Sequence, residues 1–265
     1  MRPKIICHLV SSIDGRLLAD RWVPTDTPSC VVTTSTRRAR LGTRLDSDGF
    51  IVGSSSLAAL PSVMAGSAKS GTRRVALGGK DTGQGDHYGA RNGRKLAVVI
   101  DLDGTLHYDS DDADGHHIVT LLGDHVPETY LAELRAVGVS YLFAGPDGRN
   151  LADALAQLGE DFGVDTLLLE GGGRLNSTFM HAGLIDEISL LVCPVINDLP
   201  GGINTWEYTG TLDEQVVARR YLSHMATETL NGGMVWLRYA VLEPKASDVA
   251  CTVYADDVFC DYSRC

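Results

Sequence analysis

Residues 167–176, Leu167-Leu168-Leu169-Glu170-Gly171-Gly172-Gly173-Arg174-Leu175-Asn176, join an apolar run to three consecutive glycines and a polar segment. The apolar run predicts a buried strand, and the polar segment predicts a helix that begins directly after the glycines. Glycine lets the backbone approach a ligand closely, and the N–H groups at a helix start favour an anion. The stretch therefore predicts a phosphate-binding turn. A tight strand-to-helix turn without a ligand is the alternative, since the pattern matches neither G-x-G-x-x-G nor the G-K-[S/T] loop.

Strands alternate with helices on both sides of this turn. The nearest predicted strands cover 140–144, 165–169 and 187–194, and the nearest helices cover 130–137, 151–162 and 174–182. Such alternation is typical of a mostly parallel sheet covered by helices on both faces, and it predicts one α/β domain. The other predicted elements are strands over 4–10, 50–52, 74–77, 96–100 and 118–122, a basic helix over 34–45, and two antiparallel closing strands over 215–222 and 233–242, joined through Asn231-Gly232-Gly233.

Composition excludes several classes of protein. The 265 residues carry 23 Lys and Arg against 34 Asp and Glu, a net charge of −11 that argues against a general nucleic-acid binder. No uninterrupted apolar run reaches ~18 residues, so no membrane span is expected. The first residues lack a signal-peptide core, so a cytoplasmic protein is expected. The six cysteines form no C-x-x-C pair, which argues against a zinc ribbon, and we expect no metal site.

The charge is distributed unevenly along the chain. Residues 1–95 carry +8, residues 96–134 carry −9 and residues 135–265 carry −10. A basic first third suits a phosphate-bearing small molecule. The alternative is that these blocks are ordinary solvated faces.

Two further turns share features with the first. Phe50-Ile51-Val52 is a short strand that ends in Gly53, and Ser54, Ser55 and Ser56 follow at a predicted helix start. Those hydroxyls serve either a phosphate or simple helix capping. Two such turns indicate a ligand with more than one phosphate. After the first strand, Ser11-Ser12-Ile13-Asp14-Gly15-Arg16 places a carboxylate that either holds a polar substrate or only makes an Asp-Gly turn.

These three elements, in this order, resemble the reductase domain of riboflavin biosynthesis. That domain is the C-terminal part of a bifunctional deaminase/reductase and has the dihydrofolate-reductase-like fold. The resemblance rests on Arg2-Pro3-Lys4, Ser12-Ile13-Asp14-Gly15-Arg16, Phe50-Ile51-Val52-Gly53 and, most closely, Glu170 to Asn176 through Ala182-Gly183-Leu184-Ile185-Asp186-Glu187-Ile188-Ser189-Leu190 to Cys193-Pro194. It covers residues 2–242, so we expect a reductase domain over 1–243 and a tail over 244–265.

Two departures from that family stand out. The riboflavin enzymes usually have Lys on the first strand, where this chain has His8, and a histidine on a buried strand is more often a core residue. The deaminase signature H-x-E…P-C-x-x-C does not occur, so the chain is expected to supply only the reductase step.

The resemblance implies a fold, an assembly, a cofactor and a set of site residues. The fold would be α/β, a mostly parallel central sheet flanked by helices with a C-terminal antiparallel hairpin, and the assembly a homodimer. The cofactor would be NADPH, with NADH left open. Asp14, with Ser12 and Gly15, would face the substrate, and Asp14 is the first candidate for a catalytic residue. The residues around the cofactor phosphates would be Gly53, Ser54, Ser55, Ser56, Glu170, Gly171, Gly172, Gly173, Arg174, Leu175 and Asn176.

The family also implies a reaction. It would be hydride transfer to a ribosylaminopyrimidine, as in 5-amino-6-(5-phosphoribosylamino)uracil reductase, or to a related small heterocycle. A pterin or folate is the second candidate substrate. Because the cofactor carries the reducing chemistry, the protein would mainly position the reactants and tune their electrostatics.

A rival motif lies at residues 98–106. Its core, Asp101-Leu102-Asp103-Gly104-Thr105, resembles the first motif of haloacid-dehalogenase-type phosphatases. There one Asp is the nucleophile, the next but one is the acid, and Mg²⁺ is bound. The later Lys and acidic pair of that family do not follow in order, which disfavours a phosphatase. A nucleotide-binding module without catalysis is a third alternative.

The same carboxylates bear on the choice between NADPH and NADH. In the dihydrofolate-reductase-like fold this strand end should lie near the adenosine ribose, so Asp101 belongs with the candidate cofactor-binding residues. Asp101 and Asp103 would accept a hydrogen bond from a 2′-hydroxyl but repel a 2′-phosphate. Basic residues nearby in sequence are the candidates for binding that phosphate: Arg73, Arg74, Arg91, Arg94 and Lys95.

Overall fold

The computed structural model describes residues 1–17, 41–54, 68–70, 85–146, 148, 150–197, 202–207 and 220–242. The strands are β1 Lys4–Ser11, β2 Gly49–Gly53, β3 Ala68–Ser70, β4 Leu96–Ile100, β5 Leu106–Tyr108, β6 Asp112–Ala113, β7 His116–Leu122, β8 Ser140–Phe143, β9 Thr166–Leu169, β10 Glu187–Val192, β11 Tyr221–Leu230 and β12 Met234–Leu242. The helices are α1 Glu128–Val137, α2 Leu151–Phe162 and α3 Gly173–His181. Within these ranges, none of the helices is both long and apolar enough to span a bilayer.

Ten strands form one sheet in the order β11-β12-β10-β1-β9-β2-β4-β7-β6, and β8 also pairs with β7. Every pairing from β10 across to β8 is parallel. The hairpin β11–β12 and the short strand β6 pair antiparallel with their neighbours. The predicted mostly parallel sheet with a C-terminal antiparallel hairpin is therefore confirmed.

The side chains of the central strands alternate between two apolar layers. On β1, Ile5 and Leu9 pack with residues of α2 and α3, including Leu155 and Phe179. The opposite face of the sheet packs against the segment after residue 40 at one end and against α1 at the other. Because helices cover both faces, the strands bury their side chains on both sides, which explains their nearly continuous apolar runs.

The predicted and observed elements differ most in the C-terminal hairpin. Its first strand covers Tyr221–Leu230, not 215–222, whereas the second strand and the connecting turn lie close to the predicted positions. The strand is exposed along almost its whole length, so it lacks the hydrophobic alternation that identifies a half-buried strand. The predicted strand over 74–77, most of the predicted helix over 34–45 and the tail over 244–265 lie outside the described residues.

The connections that follow the adjacent strands β2 and β9 run to opposite sides of the sheet. After β2 the chain goes on to β4 on one side, whereas after β9 it passes through α3 to β10, on the far side of β1. In open α/β sheets, a crevice forms outside the carboxyl ends of the strands at such a point and commonly holds the ligand. The topology therefore directs attention to the ends of β2 and β9, where both predicted glycine turns begin.

Candidate functional site

The two glycine turns meet at the carboxyl edge of the sheet. Ile51 of β2 lies beside Leu169 of β9, and the backbone N–H of Glu170 donates to the Ile51 carbonyl at 2.9 Å. A Cβ on Gly53 would lie 3.7 Å from Cδ2 of Leu175, so the two turns are in contact. The structure thus brings Gly53 and its neighbour Ser54 together with residues 170–175, whereas Ser55 and Ser56 lie outside the described residues.

Close packing explains two of the three consecutive glycines. A Cβ on Gly171 would approach Cβ and Cδ2 of Leu175 to 2.9 Å, and one on Gly173 would lie 2.3 Å from the Asn204 carbonyl oxygen. Any larger residue would have to displace backbone or a neighbouring side chain. Structural need alone therefore accounts for Gly171 and Gly173, as the alternative of a turn without a ligand allows.

The helix that follows begins without a side-chain cap. Gly172 is the N-cap residue of α3 and has extended backbone, with φ −76° and ψ 171°. It has no side chain to accept hydrogen bonds from the first-turn N–H groups, and such groups, with the helix dipole, attract an anion. Gly172 is half-buried, so the start of α3 is not completely enclosed by the protein.

The loop after β1 lies beside this turn, because β1 is the direct neighbour of β9. Ser12 is buried and organises the loop: its carbonyl accepts the Gly15 N–H at 3.1 Å, and its hydroxyl accepts the Arg16 N–H at 3.1 Å. Asp14 is exposed, and its Oδ1 accepts the backbone N–H of Asn197 at 3.0 Å. That hydrogen bond, followed by one from the Ser12 hydroxyl, lowers the pKa of Asp14.

Segment 202–207 bridges the loop and the glycine turn, and the sequence analysis did not identify it. The Thr205 N–H donates to the Gly15 carbonyl at 3.1 Å, and the Thr205 carbonyl accepts Nδ2 of Asn176 at 3.0 Å. The Arg16 guanidinium donates to Oδ1 of Asn204 at 2.6 Å. The predicted substrate loop and the predicted cofactor turn are therefore parts of one hydrogen-bonded unit.

Exposed apolar side chains occur in the Asp14 loop and in the two segments that are hydrogen-bonded to it. Ile13, next to it in sequence, is 65% exposed, and Ile196, next to its partner Asn197, is 73% exposed. Ile203 of the bridging segment is 41% exposed. Exposed apolar surface beside a fixed carboxylate suits a flat, polar ring. Single isoleucines in loops carry no sequence motif, so this feature needed the structure.

Asp101 belongs to the turn after β4. Its side chain is 2% exposed and accepts the Thr105 N–H at 2.8 Å, the Thr105 hydroxyl at 2.7 Å and the Leu106 N–H at 2.9 Å. The side chain of Asp103, in contrast, is 78% exposed and lies 3.1 Å from Nε2 of His125. A buried carboxylate with these partners stabilises the turn, which disfavours both its predicted ribose contact and a nucleophilic role.

Three of the basic residues proposed for a 2′-phosphate lie at the wrong edge of the sheet. Arg91, Arg94 and Lys95 precede β4, so they lie at its amino end. Arg94 is ion-paired with Asp111 at 2.5 Å, Arg91 donates to the Arg94 carbonyl, and Lys95 donates to the Ser47 carbonyl at 2.7 Å. Their position and partners disfavour these three residues as ligands of a phosphate at the carboxyl edge. Arg73 and Arg74 lie outside the described residues.

His8 is a core residue. It is 1% exposed, and its Nδ1 lies 3.0 Å from the hydroxyl of Ser189 on β10. The same hydroxyl accepts Nε1–H of Trp236 at 2.8 Å. This hydrogen-bonded chain satisfies the imidazole inside the sheet, as expected for a histidine on a buried strand.

Comparisons with known proteins agree with this architecture. A family model described as the RibD C-terminal domain matches residues 3–212. Similar solved structures include Acinetobacter baumannii RibD, with 19% identity and a TM-score of 0.59 over 91% of this chain and 59% of that one. A pyrimidine reductase-like protein from Corynebacterium diphtheriae has 16% identity and a TM-score of 0.60 over 91% of this chain and 93% of its own.

The riboflavin biosynthesis reductase Rib7 of Saccharomyces cerevisiae is a third similar structure. It has 12% identity and a TM-score of 0.54 over 91% of this chain and 90% of its own. At these identities the likeness shows a shared fold. The chain spans 59% of the length of the Acinetobacter RibD. No curated protein matches the sequence.

Proposed function

The chain belongs to the RibD C-terminal domain family, and from that premise we propose that it is a reductase that transfers hydride from NADPH to a ribosylaminopyrimidine or a related small heterocycle. One observation carries the proposal. Two glycine turns and the Asp14 loop converge at the carboxyl edge of the sheet, where the strand connections reverse direction. Such a crevice suits an extended dinucleotide beside a small substrate.

The described residues fit a dinucleotide. The start of α3 has no side-chain cap and presents backbone N–H groups, and Gly53 and Gly171 have no side chains of their own to keep a ligand from the backbone. We propose that Gly53 and Ser54, together with residues 170–176, hold the pyrophosphate and its nearest ribose. When bound, the cofactor supplies the hydride.

Asp14 acts, in this proposal, as a carboxylate and not as a proton donor. Its pKa is lowered by the Asn197 N–H and the Ser12 hydroxyl, so it is ionised at neutral pH. An ionised carboxylate accepts hydrogen bonds from substrate N–H or O–H groups and stabilises positive charge on an imine-like carbon–nitrogen unit. Such charge makes the carbon a better hydride acceptor. Asp14→Asn should therefore reduce kcat more than cofactor affinity.

The preference for NADPH rests on the family, and the geometry leaves NADH open. Three candidate partners for a 2′-phosphate lie at the opposite edge of the sheet, and Asp103 is exposed close to the carboxyl end of β4. Calorimetric titration of the purified chain with NADPH and with NADH, side by side, measures the preference. Equal or tighter binding of NADH would remove the NADPH assignment, and binding of neither would overturn the proposed function.

The substrate is tested by turnover. A panel containing a ribosylaminopyrimidine, a dihydropterin and dihydrofolate is followed through the near-ultraviolet absorbance of the reduced nicotinamide. Turnover of the pyrimidine alone supports the riboflavin-type reaction, and turnover of the pterin or folate supports the second candidate. Binding without turnover of any substrate would indicate a nucleotide-binding module. Mg²⁺-dependent phosphate release would favour the phosphatase, which the burial of Asp101 disfavours.

We also propose that the chain forms a homodimer through its terminal hairpin. The outermost strand β11 pairs only with β12 within the described residues, which leaves its other edge available for pairing. Large apolar side chains on the hairpin expose between 43% and 50% of their surface: Tyr221, Leu222, Met225 and Leu242. Sedimentation velocity should show a dimer that Met225→Glu weakens. A monomeric wild-type chain would refute this assembly.

A further inference from the structure

We propose that the side-chain oxygen of Asn176 accepts a hydrogen bond from an uncharged donor on the nicotinamide half of the cofactor. That donor is either a ribose hydroxyl or the carboxamide N–H. The inference rests on the proposed function, which it refines by assigning different chemistry to the two sides of the glycine turn.

The side chain of Asn176 is buried but only half satisfied. The residue is 0% exposed, and its Nδ2 donates to the Thr205 carbonyl at 3.0 Å. Its Oδ1 is the one buried side-chain oxygen or nitrogen among the described residues that has no hydrogen-bond partner. Buried polar groups in folded proteins are nearly always paired, so an orphan beside a candidate site indicates a partner that binds there.

The orientation of the amide is determined by its neighbour. The Thr205 carbonyl can only accept, so it requires the NH₂ group of Asn176 on its side. A flipped amide would bring two oxygens together and would leave the NH₂ group unpaired. The free oxygen therefore faces away from Thr205.

The free oxygen points to the glycine turn. A Cβ built on Gly171 would lie 3.1 Å from this Oδ1 and 2.9 Å from the Leu175 side chain, so any larger residue at position 171 would crowd the oxygen. Thr205 also donates its N–H to the Gly15 carbonyl at 3.1 Å, which ties this side of the turn to the Asp14 loop. Through Thr205, the Asn176 amide is thus linked to the Asp14 loop, beside which the reacting half of the cofactor belongs.

An amide oxygen selects the kind of group that it binds. It accepts hydrogen bonds but donates none, so an ionised phosphate placed against it would meet a repulsive contact. The first-turn N–H groups of α3 have the opposite preference, for an anion. The turn is therefore divided: the helix start takes phosphate, and the Gly171 side with Asn176 takes a hydroxyl or an amide N–H.

The test combines a variant with a series of ligands. Dissociation constants of ADP, ADP-ribose and NADH are measured by calorimetry for the wild-type chain, for Asn176→Leu and for the control Thr178→Ala. If the wild-type chain binds only 2′-phosphorylated nucleotides, the corresponding 2′-phosphates are used. Thr178 lies on the exposed face of the same helix, and its hydroxyl donates to the Arg174 carbonyl. Because ADP lacks the nicotinamide half, its binding reports the effect of the substitution on the phosphate-binding part of the turn itself.

We expect the dissociation constant of ADP for Asn176→Leu to stay within about twofold of the wild-type value. The dissociation constant of NADH should rise about tenfold, which corresponds to the loss of one buried hydrogen bond. A loss that first appears with ADP-ribose identifies a ribose hydroxyl, and one that first appears with NADH identifies the carboxamide. Thr178→Ala should change none of the three constants. If Asn176→Leu does not fold, Asn176→Ala, which adds no bulk, is measured in the same way.

Two outcomes would overturn the inference. Equal losses for ADP and NADH would show that Asn176 only supports the turn, and no loss for any ligand would show that a water molecule satisfies the oxygen. Both outcomes leave the proposed function intact, since the nucleotide still binds the wild-type chain. Failure of every nucleotide to bind the wild-type chain would instead refute the proposed function itself.

Discussion

Replacing Asp101 distinguishes a carboxylate that holds a turn from one that binds a ligand. Its oxygens are buried and accept three hydrogen bonds of 2.7–2.9 Å from Thr105 and Leu106. A hydrogen bond to a charged group stabilises a fold by about 1.5–3 kcal/mol, against about 0.5–1.5 kcal/mol for a neutral one. In Asp101→Asn, a neutral amide replaces the charged carboxylate, so each remaining hydrogen bond is as weak as one between neutral groups. One of the two acceptor oxygens also becomes an NH₂ donor. We therefore expect the free energy of unfolding to fall by about 2–4 kcal/mol.

Urea denaturation followed by circular dichroism measures this loss, with an unchanged m-value as evidence that the same transition is observed. Asp103→Asn is the matched control, since that side chain is 78% exposed and its loss should cost less than about 0.5 kcal/mol. Calorimetry on folded Asp101→Asn should give the wild-type affinity for the dinucleotide. Wild-type stability together with lost nucleotide affinity would refute the structural role and restore the predicted ribose contact.

Three further variants test other parts of the molecule. Gly172→Val should weaken dinucleotide binding at least tenfold, about 1.4 kcal/mol, by filling the open start of α3; unchanged affinity in a folded variant would count against that placement. Ser189→Ala removes the buried hydroxyl that lies 3.0 Å from Nδ1 of His8 and accepts Nε1–H of Trp236, and it should cost about 1–3 kcal/mol in urea, with full turnover per folded molecule. Burial lowers the pKa of His117 below its usual 6.5, so the unfolded state binds the proton more readily and stability is lost as pH falls below about 6.5. His117→Gln should flatten that fall in acid-denaturation curves, and an unaltered slope would refute the assignment.

Local patterns in the sequence were sufficient to predict most of the fold. The strand and helix around Gly171–Gly173 follow from an apolar run, a glycine break and a polar segment, all within ten residues. The same logic identified β4 and α2 with their observed bounds. The bounds of strand β11 were predicted wrongly because it is an exposed edge strand. No buried face imposes a hydrophobic period on its sequence.

The functional site was less predictable, because it depends on contacts between distant residues. Asp101 resembled a ligand-binding residue, and only the three donors from Thr105 and Leu106 show that its oxygens are occupied. Arg94 is near Asp101 in sequence, but a strand separates them and places them at opposite edges of the sheet. Segment 202–207 carries no motif, and its importance comes from the bonds of Thr205 to Gly15 and Asn176.

Several cationic side chains of the basic first third are already paired with protein oxygens. Five of them have the following partners: Arg2 with Asp186, Lys4 with Glu187, Arg16 with Gly202 and Asn204, Arg44 with Glu228, and Arg94 with Asp111. We therefore expect a phosphate at the start of α3 to be bound by backbone N–H groups and not by these five side chains. Because backbone N–H groups accept many anions, selection of a dinucleotide has to come from the uncharged contacts beside them. If the proposed site is correct, we expect the Asn176 oxygen and the Asp14 loop to determine which nucleotide and which substrate it accepts.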